Sequence, residues 1–250
     1  MMLDGDLRFA HRLADAADAV TLPRFRAGDL HVETKPDLTP VSDADRAAED
    51  AVRRLVERSG RGEGVLGEEL GADDGAERWI VDPIDGTTSY VRGVPIWATL
   101  LALERDGTVD VAVASAPALG RRWWATRGGG TFADGERCRV SAVGRVEDSA
   151  VSCTSARRMP AGWREVVRRA WSNRGLGDFW QHCLVAEGAL DVGCDAVVNL
   201  WDYAGVELIV SEAGGRCTSF DGGGLHPLGS LVSTNGLLHD EVVALLSREP

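Results

Sequence analysis

The stretch Trp79-Ile-Val-Asp-Pro-Ile-Asp-Gly-Thr87 decides how this chain reads. Trp79, Ile80 and Val81 form a short apolar run of the kind that fills a buried strand. Pro83 cannot donate to a ladder, so the strand is expected to stop at about Asp82. Asp82 and Asp85 then lie where the chain leaves the core. Two acceptor-only carboxylates three residues apart on a tight turn repel each other unless a cation lies between them, and hard divalent ions such as Mg2+ prefer oxygen ligands. Gly86 permits close backbone approach. A helix starting near Thr87 would turn its unpaired N–H groups and positive dipole end toward an anion such as phosphate. The competing reading is an ordinary Asp-Pro turn followed by an Asp helix cap.

Further acidic segments weigh against that plain turn. Val65-Leu-Gly-Glu-Glu69 precedes the strand. Far downstream, Leu200-Trp-Asp-Tyr-Ala-Gly-Val-Glu-Leu-Ile-Val-Ser-Glu-Ala-Gly-Gly215 places Val206, Ile209, Val210 and Ala213 at helical spacing and stops at Gly214 and Gly215. Asp202 falls in the first turn of that apolar helix. Each acid alone also reads as a dipole-favoured charge or a solvated pair.

The motifs GEE, DPIDGT and WDxAxxxxIVxEAGG, in this order, resemble those of the inositol monophosphatase superfamily of Mg2+-dependent, lithium-sensitive phosphatases, over about residues 34–236. TKPDLTPVSDADRA (34–47), VRGVP (91–95), SAPALGRRWWA (115–125) and STNGLLHDEV (233–242) look like those of one branch, the actinobacterial-type histidinol-phosphatases. The resemblance implies a layered αβαβα sandwich of the inositol monophosphatase/fructose-1,6-bisphosphatase kind. It also implies that Glu68, Asp82 and the carbonyl of Ile84 hold one metal, and that Asp82, Asp85 and Asp202 hold a second. Gly86 and Thr87 would bind phosphate through backbone N–H groups, while Glu68 and the Thr87 hydroxyl help activate the attacking water. Two cations can acidify a water and stabilise both the attacking and leaving oxygens, so no protein nucleophile is required. Consistently, no convincing Ser/His/Asp or Cys/His arrangement stands out; His11, His31, His182, His226 and His239 read as surface or packing residues. Where the family often has Asn after DGT and one further residue, this chain has Ser89, and a small change in turn packing is expected.

Composition agrees. With 250 residues and 44% hydrophobic content the chain can bury a sizeable core in one compact unit or two joined subdomains. A net charge of −12 argues against sequence-independent nucleic-acid binding. Five cysteines without CxxC spacing favour reduced thiols and a cytoplasmic location over a disulfide frame or zinc site. The charged N-terminal stretch lacks an apolar signal core, and no apolar run is long enough to span a membrane.

Along the chain, Leu7, Ala10, Ala14, Ala17 and Val20 predict a first amphipathic helix, and Ser42 with Asp45 resembles a capping box opening a second through Val56. Strands are expected at 79–82, 96–104, 109–115, 121–126 and 131–133. After about residue 140 come a strand at 149–153, helices at 161–172 and 179–190, a strand at 196–199, a helix at 202–213, strands near 216–220 and 230–234, and a last helix to about Ser247. This divides the chain into an N-terminal α+β half (1–140) with most metal ligands and a C-terminal α/β half (141–250) with Asp202 and the specificity residues.

Lys35 is the single lysine beside 26 arginines. It lies with Asp43 in a loop that, in the family, closes over the site and helps with a third, weaker metal; the alternative is a Pro-rich loop with a helix cap. Substrate choice is expected from Gly177-Asp178-Phe179-Trp180, where a carboxylate stands beside aromatics, and from Asp195, at a position where the family often has Glu. These acids would suit the ammonium of histidinol phosphate, with Asn199 a weaker candidate and Phe179 or Trp180 able to stack on imidazole or pack in the core. Asp178 also reads as a helix N-cap. The function expected is Mg2+-dependent hydrolysis of L-histidinol phosphate, with Mn2+ an acceptable substitute and a homodimer implied by resemblance. The alternatives are an inositol or related sugar monophosphatase and a catalytically silent metal-binding regulator.

Overall fold

In a strand, alternate side chains face opposite sides, and residues 79–82 are buried on both, so this strand must be covered by structure on each face. The computed structural model describes residues 2–36, 38–73, 75 and 77–248, the side chain of Met2 excepted. In chain order the first half holds α1 (Met2–Arg24), β1 (Val32–Thr34), β2 (Pro40–Ser42), α2 (Asp43–Ser59), β3 (Gly64–Gly67), β4 (Gly71–Ala72), β5 (Glu77–Asp85), α3 (Thr87–Val91), β6 (Ala98–Arg105), β7 (Thr108–Ala116), β8 (Arg121–Thr126), β9 (Gly130–Ala133) and β10 (Glu136–Arg137). The second half holds β11 (Ala150–Cys153), α4 (Trp163–Arg169), β12 (Ser172–Arg174), α5 (Asp178–Glu187), β13 (Val192–Val198), α6 (Leu200–Glu212), β14 (Arg216–Thr218), β15 (Gly229–Thr234) and α7 (His239–Leu246).

The layers follow from which face each side chain takes. Trp79 and Val81, with Leu101, Leu103, Val111 and Val113 of the neighbouring strands, pack under Phe9, Leu13 and Ala17 of α1 and Ala48, Val52 and Val56 of α2. Ile80 and Ala102 face the other way onto Ala204 of α6. Burying each large aliphatic side chain here contributes about 1.5–3 kcal/mol. The large sheet runs β10-β9-β8-β7-β6-β5-β3-β4, and the smaller one β12-β11-β13-β15-β14. Helices α5 and α6 lie between the sheets, since one cluster joins Leu100, Ala112 and Trp123 to Phe179, Val206, Ile209 and Leu231. On the far face of the small sheet, Val151, Val192 and Val232 pack against Trp163 and Val166 of α4 and Val242 and Leu245 of α7. The result is an αβαβα sandwich whose central helical layer shares one core with strands of both halves.

Several sequence expectations are corrected. The strand does not stop at Asp82: β5 pairs Asp82 with Leu100 and Asp85 with Ala98, so one extra residue is accommodated in a bulge. Pro83, which lacks an N–H, sits in that irregular stretch, and its carbonyl accepts from Thr99 Oγ1 at 2.8 Å. The helix expected at 161–172 is shorter, because the backbone turns extended at Ala170 and residues 172–174 join β11 as an edge strand. The strand expected at 196–199 begins at Val192, where pairing to both β11 and β15 overrides the weak strand preference of Gly193 and Asp195. The following helix starts at Leu200 rather than 202, capped by Asn199. The helix expected at 179–190 ends at Glu187 because Gly188 takes the left-handed conformation of a C-cap. The short strands β1, β2, β3, β4 and β10 had no distinct periodic signal.

Candidate active site

The bulge in β5 builds the centre of the site. In a regular strand, residues three apart point to opposite faces; one inserted residue restores the parity, so Asp82 and Asp85 meet on one side. Asp202 joins them from the first turn of α6, and one carboxylate oxygen from each of the three lies within 4.8 Å of the others. Backbone N–H groups orient each acid: Ile84 donates to Asp82 Oδ1 at 3.0 Å, Phe179 to Asp85 Oδ2 at 2.7 Å and Asn199 to Asp202 Oδ2 at 2.6 Å. The last is half of a capping box, so Asp202 closes the helix and faces the cluster at once.

Electrostatics shows what the group lacks. Burial, then the charges of Glu68, Asp85 and Asp202, pushes Asp82 well above the usual carboxylate range. Burial, then Asp178 and Asp202, does the same to Asp85. Asp202 is pushed up to about 7, by burial first and by neighbouring acids against the Asn199 hydrogen bond. Among the described residues none of the three takes part in an ion pair. Converging oxygen donors, Asp82 buried and Asp85 and Asp202 half-buried, with no counter-charge fit a hard divalent cation.

Glu68 follows β3, where its N–H donates to Val81 O at 3.2 Å. The turn is held by the buried Glu49, which accepts the N–H groups of Glu69 (2.7 Å) and Leu70 (3.1 Å). Gly67 is required there, since a Cβ would run into the Glu49 carboxylate. Lys35, on the turn between β1 and β2, bonds Glu68 at 2.7 Å and Glu69 at 2.5 Å. Burial opposes its charge, but those two acids outweigh it and hold the ammonium protonated. Asp43 is not brought to the cluster: its carboxylate pairs with Arg24 at 2.7 Å.

Thr87 opens α3, as the sequence suggests, with Gly86 as the N-cap at φ 82°. A side chain at Gly86 would also strike Ile96 O at 2.9 Å, and Asp178 Oδ2 lies 3.1 Å from the same point. The Thr87 hydroxyl faces Ile84 O at 2.9 Å and Asp45 Oδ1 at 3.2 Å. Asp45 is a functional residue the sequence reading missed. Its capping-box role with Ser42 is present, through the Ser42 N–H at 2.8 Å and hydroxyl at 2.5 Å, but its second oxygen serves Thr87. The available signal was position: Asp45 and Glu49 share the buried face of α2 with Ala48, Val52 and Val56, where an acid has no packing reason to be. Ser89 contributes its carbonyl to the Val94 N–H at 2.9 Å.

The specificity candidates separate. Asp178, at the start of α5, is pushed up to about 7 by burial and then by Asp195; Gly177, not Asp178, is the N-cap. Phe179 is a core residue, edge-on to Trp123 at 5.9 Å, and Trp180 is half-buried against the same cluster. Asn199 caps α6. Asp195 accepts from His182 Nε2 at 2.6 Å and Gln181 Nε2 at 3.0 Å, and His182 Nδ1 lies 2.8 Å from Ser233 Oγ. With Ser233 and His182 both buried this is a packed hydrogen-bond chain and not a nucleophilic site, and His182 is a packing residue as expected. Separations of 13 and 51 residues hid the arrangement from sequence, and only the β13–β15 pairing brings its members together.

Fold and site together define a phosphatase of acidic, oxygen-lined type, and the chain belongs to the inositol monophosphatase family, which is matched over residues 2–249. It is 50% identical to the histidinol-phosphatase of Mycobacterium tuberculosis over 98% of this chain and 99% of that one. It is 45% identical to the histidinol-phosphatase of Streptomyces coelicolor over 97% of each. The solved structure of the Thermotoga maritima IMPase superposes with a TM-score of 0.90 at 31% identity, covering 97% of this chain and 96% of that one.

Proposed function

We propose that this enzyme hydrolyses L-histidinol phosphate to L-histidinol and phosphate, in histidine biosynthesis, with Mg2+ as cofactor. The observation that carries the reaction is the unpaired convergence of Asp82, Asp85 and Asp202 beside the Thr87 hydroxyl. Full-length identity with histidinol-phosphatases supports the substrate.

Asp82, Asp85, Asp202, Glu68 and the Ile84 carbonyl are the groups that would hold Mg2+, and Mn2+ satisfies the same hard oxygens. Bound there, divalent ions supply an acidified water and charge neutralisation on the phosphoryl group. The chain's own residues do the rest. The first N–H groups of α3 lack helical acceptors and would take phosphate oxygens. Asp45, bonded to the Thr87 hydroxyl, is placed to draw a proton through Thr87 from the attacking water. Glu68 and Lys35 face the same space, so Lys35 must exchange Glu68 for substrate or water when Glu68 takes a ligand. Asp178 and Asp195 would meet the substrate's ammonium.

Phosphate release measured over histidinol phosphate, inositol monophosphates and fructose bisphosphate, with and without Mg2+, tests this. Faster turnover of an inositol phosphate would replace the substrate assignment, and Mg2+-independent or absent release would remove the reaction itself. The same reading includes a homodimer, which sedimentation checks, and a cytoplasmic location, to which the free cysteines Cys138, Cys153, Cys183, Cys194 and Cys217 lend support. Among the described residues no helix is long and apolar enough to cross a membrane.

A further inference from the structure

Behind Asp195 runs a chain of hydrogen bonds through His182, Ser233 and Cys217, three residues to which the proposed reaction assigns no role. Its members come from β14, β15, α5 and β13, so it stitches the small sheet to the central helical layer. The arrangement resembles a nucleophilic triad, but Ser233 is 0% exposed and His182 only 2%, so neither a carbonyl nor a phosphorus reaches the hydroxyl.

Proton inventory gives the chain a direction. Burial pushes the Cys217 thiol up to about 12, and its Sγ lies 3.2 Å from Ser233 Oγ in a contact where either atom can donate. A carboxylate oxygen accepts, so His182 Nε2 donates to Asp195 Oδ2 at 2.6 Å, and in that tautomer Nδ1 accepts from the Ser233 hydroxyl at 2.8 Å. Gln181 Nε2 bonds the same Oδ2 at 3.0 Å and is itself fixed by Cys194 O at 3.1 Å and Thr154 Oγ1 at 3.1 Å. Both protein donors therefore converge on Oδ2. Asp195 Oδ1 has no hydrogen-bond partner among the described residues, and it is not one of the sealed, unpartnered atoms. Thr154 Oγ1, which contacts Gln181 Nε2, also accepts the Asp178 N–H at 2.8 Å, and Asp178 Oδ2 borders Gly86, so Asp195 lies on the side of the site that Asp178 lines.

We propose that His182 is a positioning residue: through Oδ2 it holds Asp195 as an oriented anion whose Oδ1 is kept for a ligand ammonium, so that the cleft selects phosphate esters of amino alcohols over neutral polyol phosphates. This rests on the phosphatase reading above and adds the device that sets its specificity. His182→Phe keeps a ring of similar volume and removes both hydrogen bonds, while Ser233→Ala removes the outer bond with the smallest change of volume.

The test combines steady-state kinetics on L-histidinol phosphate with calorimetric binding, in Mg2+, of L-histidinol and of 3-(imidazol-4-yl)propan-1-ol, which differs only in lacking the ammonium. For His182→Phe, KM and the L-histidinol Kd rise about tenfold, the lower end for loss of one charge-assisted hydrogen bond, while kcat stays within about threefold and 3-(imidazol-4-yl)propan-1-ol binding within about twofold. Ser233→Ala follows in the same sense by about twofold to threefold and keeps the question answerable if the Phe variant does not fold. Equal weakening of both ligands in Ser233→Ala, or L-histidinol binding unchanged in a folded His182→Phe, overturns the inference. Wild-type release of phosphate from L-histidinol phosphate, with both ligands treated alike by the variants, sinks the positioning role alone. A wild-type protein that neither releases phosphate nor binds L-histidinol sinks it together with the reaction it rests on.

Discussion

The two acidic regions of the cleft use the same residue type in opposite ways. Asp82, Asp85 and Asp202 converge without a cationic partner, each oriented by one backbone N–H, and burial first, then neighbouring acids, drives their pKa values up. Asp195 is instead gripped by two side-chain donors on one oxygen. The first arrangement stores repulsion that a divalent cation relieves. The second keeps one anion in a chosen direction. Within one cleft, a carboxylate's partners decide whether it stays open to a cation or is fixed in one direction.

The largest change should come from breaking the first region. Asp85→Asn is expected to lower kcat/KM for L-histidinol phosphate by about a thousandfold, the several kcal/mol of charge stabilisation that a divalent ion supplies, in a phosphate-release assay. Asp45→Asn, which leaves the cluster intact but replaces the carboxylate behind the Thr87 hydroxyl by a non-basic amide, should lower kcat by about a hundredfold with little change in KM. Asp195→Asn should act at the other region, raising KM for the ammonium-bearing substrate by about tenfold and leaving inositol phosphate turnover nearly unchanged.

The smallest effect sharpens the contrast through stability. Acids whose folded pKa is raised bind protons more tightly folded than unfolded, so their contribution is greatest below the unfolded carboxylate range and is lost as pH rises through the folded value, about 7 for Asp202. Chelator-treated protein should accordingly lose thermal stability between about pH 4 and 7, and Mg2+ should flatten that slope. A melting temperature that rises over this window in metal-free protein would contradict the description of the cluster.

Much of the site was legible because its residues sit in short local patterns. The apolar run before Asp82, the Gly86-Thr87 helix start and the apolar helix after Asp202 all express local backbone chemistry, and the structure places them in a strand, a helix start and a capped helix. Asp45 was only half legible: its capping role is local, whereas its bond to Thr87 spans 42 residues. The strand boundaries at 192–198 and the two-residue strands β4 and β10 were not legible, because pairing with neighbours made them strands against weak propensity.

By itself, then, the sequence determined the residue types of the acid cluster, the layered α and β class and the family, because these depend on periodicity, turn chemistry and contiguous motifs. Only the tertiary structure decided that a bulge at Pro83 turns Asp82 and Asp85 to one side, that Asp43 pairs with Arg24 while Lys35 reaches Glu68, and that Ser233, His182 and Asp195 align. The physical reason is that side-chain parity, ion-pair choice and proton direction are set by which elements pack together, and that packing joins residues far apart along the chain.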